Sequence, residues 1–446
     1  MEEINDLRSF LKVLKENNQI MTVDKGINLK WELGSILATL ERMEGKAAYF
    51  SKIKGYSIPV AGGLLASHKR IALALGCKVD EISEKLGCAL DNPIKPFVID
   101  NAPFMENVII GDRVDLRKIP IPIHAPEDGG SFITAGVTVS KGLNNNRQNL
   151  SFQRLHIKDK NKTGIMINEW RHLKEFLDSA EAVDKPLPIA IVVGVDPVIM
   201  IAAGIRYEGD EIEIAGGLRG RAIEVVKCHT CNIYVPANSE FLIEGEIIPK
   251  VREEEGPLAE FTGHYGNISK SPVFKVKAIC YRNNPIWQTL NGGSFEHINL
   301  GNVLPREPLL KKFTTYVSKN VKNVHIPPYG SGFLAVISLE KKNPGEAKNV
   351  AMAAMTSHIN IKNVIVVDPD VDIYSPAEIM WALSTRVDPK KDIFYIPYSQ
   401  GHELDPASDE RGVQTKIGVD ATLWEEKKNL KKVTYKEIDL NDYISK

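Results

Sequence analysis

FLAVISLE (333–340), GEAKNVAMAAMTSH (345–358), NVIVVDPD (363–370), SPAEIMWALSTRV (375–387) and DIFYIP (392–397) follow one another in the last third of the chain. The first, third and fifth are short apolar runs of strand length, and the other two are long enough to be helices. In the second helix Ser375 reads as the N-cap, Pro376 as the first helical residue and Glu378 as the partner closing a capping box. A β-α-β-α-β order predicts a parallel sheet with right-handed crossovers. The acidic DPDVD that ends NVIVV is not a calcium loop. An EF-hand needs Gly at position six and Glu at position twelve, where this chain has Ile373 and Ile379. It reads as a polar rim at the end of a parallel strand.

Upstream, residues 111–300 have a different texture. FITAGVTVSKG (132–142), NLSFQRLHI (149–157) and PVFKVKAICYR (272–282) are strand-like and separated by turn residues. In the last, Phe274, Val276, Ala278 and Cys280 alternate with Lys275 and Lys277, as in a half-buried strand. Many such strands with few long helices suggest a barrel or sandwich. The first ~110 residues look like a small mixed α/β unit. They include an amphipathic helix over 5–17, with Asn5 as its N-cap, and a second over 31–43. The expected division is 1–110, 111–300, a linker helix region at 301–330, and 331–446. The charged segment 425–446 is expected to dock on the surface or on another subunit.

The 446 residues fit two or three domains at ~100–200 residues each. With 43% hydrophobic residues there is enough apolar surface to fold, which excludes disorder as the main state. Lys and Arg total 56 against 57 Asp and Glu, so there is no basic excess for a dedicated nucleic-acid binder. The most apolar stretch, Leu187 to Gly204, is broken by Pro188, Asp196 and Pro197, so it reads as a buried strand and helix rather than a membrane span. MEEINDLRSF lacks the basic start of a secretory signal. Five sparse cysteines fit a reducing cytosol, and a cytoplasmic location is expected.

Some motifs carry no chemistry by themselves. Cys228-His-Thr-Cys231 lies between strand-like residues and lacks a second ligand pair in the sequence, so it reads as structural thiols. No GxGxxG follows a strand and no GxxxxGK[ST] occurs, so neither a dinucleotide site nor a P-loop is indicated.

Polar clusters interrupt the strand-rich middle: Asn149–Arg154, Asn168–His172, Glu211–Gly217 leading to Glu224–Cys228, and Glu253–Gly263. Singly, each has a bland reading as solvated turn or satisfied core. Gly256-Pro257 must turn the chain, and that turn can bring Glu255 and Glu260 together, although a spacing of five does not fix it. Two carboxylates and an Arg form a proton-transfer set, in which Arg holds one carboxylate ionised while burial raises the other. Asn, His and Glu suit a hard or borderline cation such as magnesium or manganese. Asn149 and Arg154 would face opposite sides of a regular strand. Either a bulge intervenes or they approach one site from different directions.

The order of these motifs resembles the UbiD family of decarboxylases, which use prenylated FMN. The resemblance spans about residues 5–425. It rests on NLSFQR (149–154), EIEIAGGLRGRAIEVVKC (211–228), VPANSEFLIEGEI (235–247), EEEGPLAEFTGHYG (253–266), NGGSFEH (291–297) with PRE (305–307), AKNVAMAAMTSH (347–358), VIVVDPDVDIYSPAEIMWALSTR (364–386) and TKIGVDATLW (415–424). It implies a split β-barrel flavin-binding domain and a C-terminal βαβαβ oligomerisation domain. Arg154, Glu255 and Glu260 match the catalytic Glu-Arg-Glu network. Asn149, His172 and Glu211 match the manganese ligands. Ser151, Phe152 and Gln153 fall where relatives line the flavin, and Arg171 where some carry Gln. Some members meet the cofactor phosphate with a Lys in the segment matching Thr356–His358; this chain has none there, and Lys227 is the substitute candidate. His297 and Arg306 fall in substrate-pocket segments.

The implied reaction is reversible, non-oxidative decarboxylation of an aromatic, heteroaromatic (hydroxybenzoate, furan or pyrrole type) or α,β-unsaturated acid. The implied cofactors are prenylated FMN, Mn2+ or Mg2+, and K+. A UbiX-like flavin prenyltransferase is the implied supplier, and a homodimer or higher homo-oligomer the implied assembly. Two alternatives stand beside this: a phosphorylated unsaturated acid of an archaeal isoprenoid route as substrate, and a redox flavoprotein with ordinary FMN on the same barrel.

Overall fold

A computed structural model describes residues 3–143, 147–169, 171–436, 438 and 443. Trp170 of the second polar cluster, and residues 437, 439–442 and 444–446 of the charged tail, lie outside the described residues. The chain divides into two compact units. One comprises Met1–Leu309, Pro328–Gly332 and Glu403–Ala407; the other comprises Leu310–Pro327, Phe333–His402 and Ser408–Lys446.

The first unit is built on an antiparallel sheet of nine strands. Its path runs Phe132–Ile133, Leu155–Asp159, Lys162–Ile165, Ser269–Tyr281, Phe241–Glu255, Leu187–Val193, Val137–Lys141 and Gln148–Phe152, with Asn107–Ile110 also pairing Ser269–Tyr281. No ladder joins the two ends of this path among the described residues. The long strand Ser269–Tyr281 buries Phe274, Val276, Ala278 and Cys280 and exposes Lys277, as the alternation predicts. Val273 and Ile279 are buried too, because the other face of the sheet is also covered.

Leu187–Val193 and the helix Pro197–Gly204 are the expected strand and helix. Every residue of that helix is buried, and Asp196 caps it by accepting from the Val198 N–H at 3.0 Å. The middle region is less purely β than its texture suggests. Helices His172–Ala182 and Glu211–Arg219 also lie in it, each starting at one of the polar clusters. Near the N-terminus the first helix is Leu7–Glu16, capped by Asp6 rather than Asn5: the Asp6 carboxylate accepts from Ser9 N–H at 2.8 Å. Asp6 wins because its carboxylate sits three residues before that donor.

In the second unit the expected elements are present with two corrections. The sheet order is Val321–His325, Leu334–Leu339, Asn363–Val367, Val413–Ala421, Ile393–Gln400. Leu334–Leu339, Asn363–Val367 and Val413–Ala421 are mutually parallel, but the strand containing DIFYIP is antiparallel and sits at the edge. No helix lies between it and Val413, and a parallel pairing needs a longer crossover. Pro397, which lacks an N–H, lies where the ladder breaks between Ile396 and Ser399, as suits an edge strand.

The second correction concerns the helix Pro376–Arg386. Ser375 caps it, but the Glu378 carboxylate accepts from Asp372 N–H at 2.7 Å instead of closing a capping box. The DPDVD rim is held by Arg386, which bonds Asp368 at 2.8 Å and forks onto Asp370 at 2.9 and 2.7 Å. From the charged tail, Lys432 docks on the same unit, 2.7 Å from Glu378. Among the described residues, no helix is long and apolar enough to cross a membrane.

Candidate active site

Arg154 sits where the chain leaves one strand for another. Gln148–Phe152 lies at one end of the nine-strand path, and Leu155–Asp159 lies second from the other end. The strand therefore breaks at Gln153–Arg154, and Asn149 and Arg154 belong to different parts of the sheet. No bulge is needed to reconcile their odd spacing.

The Arg154 guanidinium forks onto Glu255, Nε to Oε1 at 2.9 Å and Nη2 to Oε2 at 2.8 Å. Its Nη1 donates to Glu260 Oε1. Glu255 is fully buried at the end of the strand Phe241–Glu255. The Gly256-Pro257 peptide is cis, with Gly256 at φ +95°, and the chain turns back so that Glu260 meets the same Arg. The turn is pinned from outside. Gly129 N–H donates to the Pro257 carbonyl at 2.8 Å. His156 stacks on Phe132, accepts from Gly256 N–H at Nδ1 (3.3 Å) and lies 3.2 Å from the Gly129 carbonyl at Nε2. Burial lowers the His156 ring to about 4, so it holds the turn as a neutral group. Neither His156 nor Gly129 is marked by a motif; they are found only by their contacts.

Burial pushes the Glu260 carboxyl above its ordinary range; Arg154 pulls it back, and the Glu255 charge pushes it up again. Of two carboxylates on one Arg, Glu255 is gripped by two bonds and Glu260 by one, and the raised Glu260 carboxyl is the one whose chemistry suits proton exchange. NGGSFEH packs alongside. A Cβ on Gly293 would sit 3.0 Å from the Glu260 carbonyl, and Gly293 N–H donates to His297 Nδ1 at 3.0 Å. His297 is held near pH 4 by burial and by Arg154. Arg306 is lowered to about 9 by burial, with the Arg171 charge acting in the same sense.

Asn149, His172 and Glu211 also converge. His172 opens one helix and Glu211 opens another, and Asn149 lies on the strand between them in the chain fold. His172 Nδ1 is 3.1 Å from Asn149 Oδ1 and 3.9 Å from Glu211 Oε1. The other Glu211 oxygen accepts from Leu150 N–H at 2.8 Å. Burial raises Glu211 to about 8 and lowers His172. This gathers a carboxyl group, an amide oxygen and a neutral imidazole, and with the carboxyl ionised by a bound ion they form a donor set that fits a divalent cation. Arg147, which sequence reading missed, brings a positive charge there: its Nη2 lies 2.8 Å from His172 Nδ1 and donates to the Tyr207 carbonyl at 3.0 Å. Ser151 receives Asn149 Nδ2 at 3.0 Å and donates to Gln153 Oε1 at 3.1 Å, while Phe152 is half-buried beside them. Lys227 is the exposed last residue of the strand Glu224–Lys227, and no hydrogen bond or ion pair links it to this cluster among the described residues.

Arg154 bridging Glu255 and Glu260, and the Asn149, His172 and Glu211 donor set, are the two polar clusters of the candidate site. Three family models match in series. They are the 3-octaprenyl-4-hydroxybenzoate carboxy-lyase N-terminal domain over residues 11–90, the Rift-related domain over 97–295 and the C-terminal domain over 300–421. The chain belongs to the UbiD family of decarboxylases. It is 33% identical over 419 residues to anhydromevalonate phosphate decarboxylase of Methanothermobacter thermautotrophicus, covering 93% of this chain and 96% of that one. The enzyme of the same name from Methanosarcina mazei is 34% identical, with 93% and 95% covered. Among solved structures, the UbiD-class enzyme HmfF from Pelotomaculum thermopropionicum, in complex with FMN, superposes with a TM-score of 0.93 at 36% identity, covering 98% of this chain and all of that one. The apo 3,4-dihydroxybenzoic acid decarboxylase of Enterobacter cloacae gives 0.93 at 30%, with 99% of each covered.

Proposed function

We propose that this chain catalyses reversible, non-oxidative decarboxylation of an aromatic, heteroaromatic or α,β-unsaturated acid with prenylated FMN. The observation that carries the reading is Arg154 clamped between Glu255 and Glu260, with burial raising Glu260. When bound, the cofactor supplies the electron sink that direct loss of CO2 from an sp² carbon lacks. Glu260 delivers the proton to the carbon that loses CO2, and in reverse removes it. Glu255 fixes Arg154, and Arg154 orients Glu260. Asn149, His172 and Glu211 hold manganese or magnesium near the cofactor phosphate. Arg147, rather than Lys227, is the basic group beside them. Potassium is a further proposed ion. The nine-strand sheet is read as the family's split barrel, the second unit as its oligomerisation domain, and a UbiX-like prenyltransferase as the cofactor's source.

Arg171 and Arg306 favour an acid with a second anionic group. That supports a phosphorylated unsaturated acid as a specific second reading, since both of these relatives carry a phosphate-bearing substrate in their names. The test is co-expression with a flavin prenyltransferase, then anaerobic CO2 release without nicotinamide from a dihydroxybenzoate, a furan acid and anhydromevalonate phosphate. Glu260→Gln is expected to keep cofactor, yet lose ~10²–10⁴ in decarboxylation and in deuterium exchange at the reacting carbon. Exchange at the wild-type rate in that variant would move the proton to another residue. Stoichiometric NAD(P)H oxidation would favour a redox flavoprotein instead.

A further inference from the structure

The Cys228-His-Thr-Cys231 turn gains a partner that its own sequence does not supply. It joins the strands Glu224–Lys227 and Tyr234–Pro236, and Glu244 from the long strand Phe241–Glu255 reaches it. The two thiol sulfurs and a Glu244 carboxylate oxygen all lie within 4.8 Å of one another. Cys228 and Glu244 are buried and Cys231 is half-buried. Glu244 is the residue at which the ladder with Ser269–Tyr281 slips register, and such a bulge re-aims a side chain. Its carboxylate is then fixed by the turn itself, accepting from His229 N–H at 3.0 Å, Thr230 N–H at 2.6 Å and Thr230 Oγ1 at 2.7 Å.

We propose that Cys228, Cys231 and Glu244 form a binding site for one zinc ion, separate from the Asn149–His172–Glu211 set. The chemistry discriminates the two. Two thiolates and a carboxylate suit borderline-soft zinc, whereas magnesium and manganese prefer oxygen. The charges also call for a cation. Three potential anions meet in a buried place, and the neighbouring Lys277 is engaged by Glu246 at 2.5 Å. No lysine or arginine pairs with Glu244 among the described residues. The N–H and O–H donors on Glu244 are the outer hydrogen bonds that orient a metal-binding carboxylate. Three protein ligands leave the fourth corner of a tetrahedron to water. Zinc binding releases the thiol protons to solvent, so no oxidant or reductant is consumed.

The test uses the full-length protein, chelator-treated and titrated with cobalt(II). A thiolate-to-cobalt charge-transfer band in the near ultraviolet is expected at about one cobalt per chain. The oxygen- and nitrogen-donor set cannot give that band, so His172→Ala and Cys280→Ser should keep it, while Cys228→Ser and Cys231→Ser should remove it. Should Cys228→Ser fail to fold, wild-type protein keeps the question decidable. Added zinc is expected to slow alkylation of Cys231 about tenfold or more while leaving exposed Cys88 unaffected. Absence of the band, its survival in Cys231→Ser, equal alkylation rates with and without zinc, or a Cys228–Cys231 disulfide in protein as isolated would each overturn the assignment.

Discussion

In the proposed mechanism Glu260 donates a proton only while it holds one, so its environment fixes a pH limb. Its carboxyl is raised chiefly by burial and further by the Glu255 charge, while Arg154 lowers it. The acid form is lost as pH rises through that raised value, and the rate falls on the alkaline side. Glu255→Gln removes a negative neighbour and leaves Arg154 to Glu260 alone. Both changes lower the Glu260 pKa, so the limb is expected to move to lower pH, with Glu255→Asp showing less. A pH–rate profile checks this, and a shift to higher pH would contradict it. At the proposed cation site, His172→Ala deletes a nitrogen that lies 3.1 Å from Asn149 Oδ1 and 3.9 Å from Glu211 Oε1. Metal content and flavin absorbance of the purified variant are expected to fall together. Full occupancy of both would remove His172 from the ligand set.

At the scale of elements, the proposed catalytic pair depends on close backbone packing. Gly266 follows the loop that carries Glu260, and a Cβ there would sit 3.0 Å from Glu260 Oε1 and 3.2 Å from its Cγ. Gly266→Ala is therefore expected to push the carboxylate off Arg154 and cost ~10–10² in turnover, the scale at which small misplacements act. Gly87, inside the helix Ile82–Asp91, has nothing within 4 Å of the corresponding position. Gly87→Ala is the control, expected to leave turnover unchanged. Turnover at matched cofactor loading separates the two. The edge strand Ile393–Gln400 follows a different control: the short connection to Val413–Ala421 sets its antiparallel direction and Pro397 suits it to the edge, against the simple β-α-β-α-β reading.

Across the whole molecule, 56 basic and 57 acidic residues nearly cancel, giving a formal net charge of -1 at pH 7. A chain with so little net charge repels its copies weakly near neutrality. Solubility at low salt is expected to be least just below pH 7 and to rise on both sides, which precipitation measured across pH would check. The two compact units carry separate apolar cores. That of the second unit gathers Val336, Ile365, Val367, Ile379 and Val419.

The sequence by itself determined the periodic elements, because apolar spacing and caps act within a few residues. The alternation of Phe274 to Cys280, the strand and helix of Leu187–Gly204, and Ser375 as a cap were legible for that reason. The family was legible because several long motifs keep their order along the chain. What the tertiary structure decided were relations between residues distant in sequence. Arg154 meets Glu255 and Glu260 more than a hundred positions away, through a strand break and a turn that no local pattern specifies. Arg147 and His156 gain roles only from the neighbours that folding gives them. Cys228 and Cys231, a bare pair in the sequence, acquire Glu244 from a strand in another sheet. Local chemistry writes the elements; long-range packing selects which side chains share a dielectric and a charge.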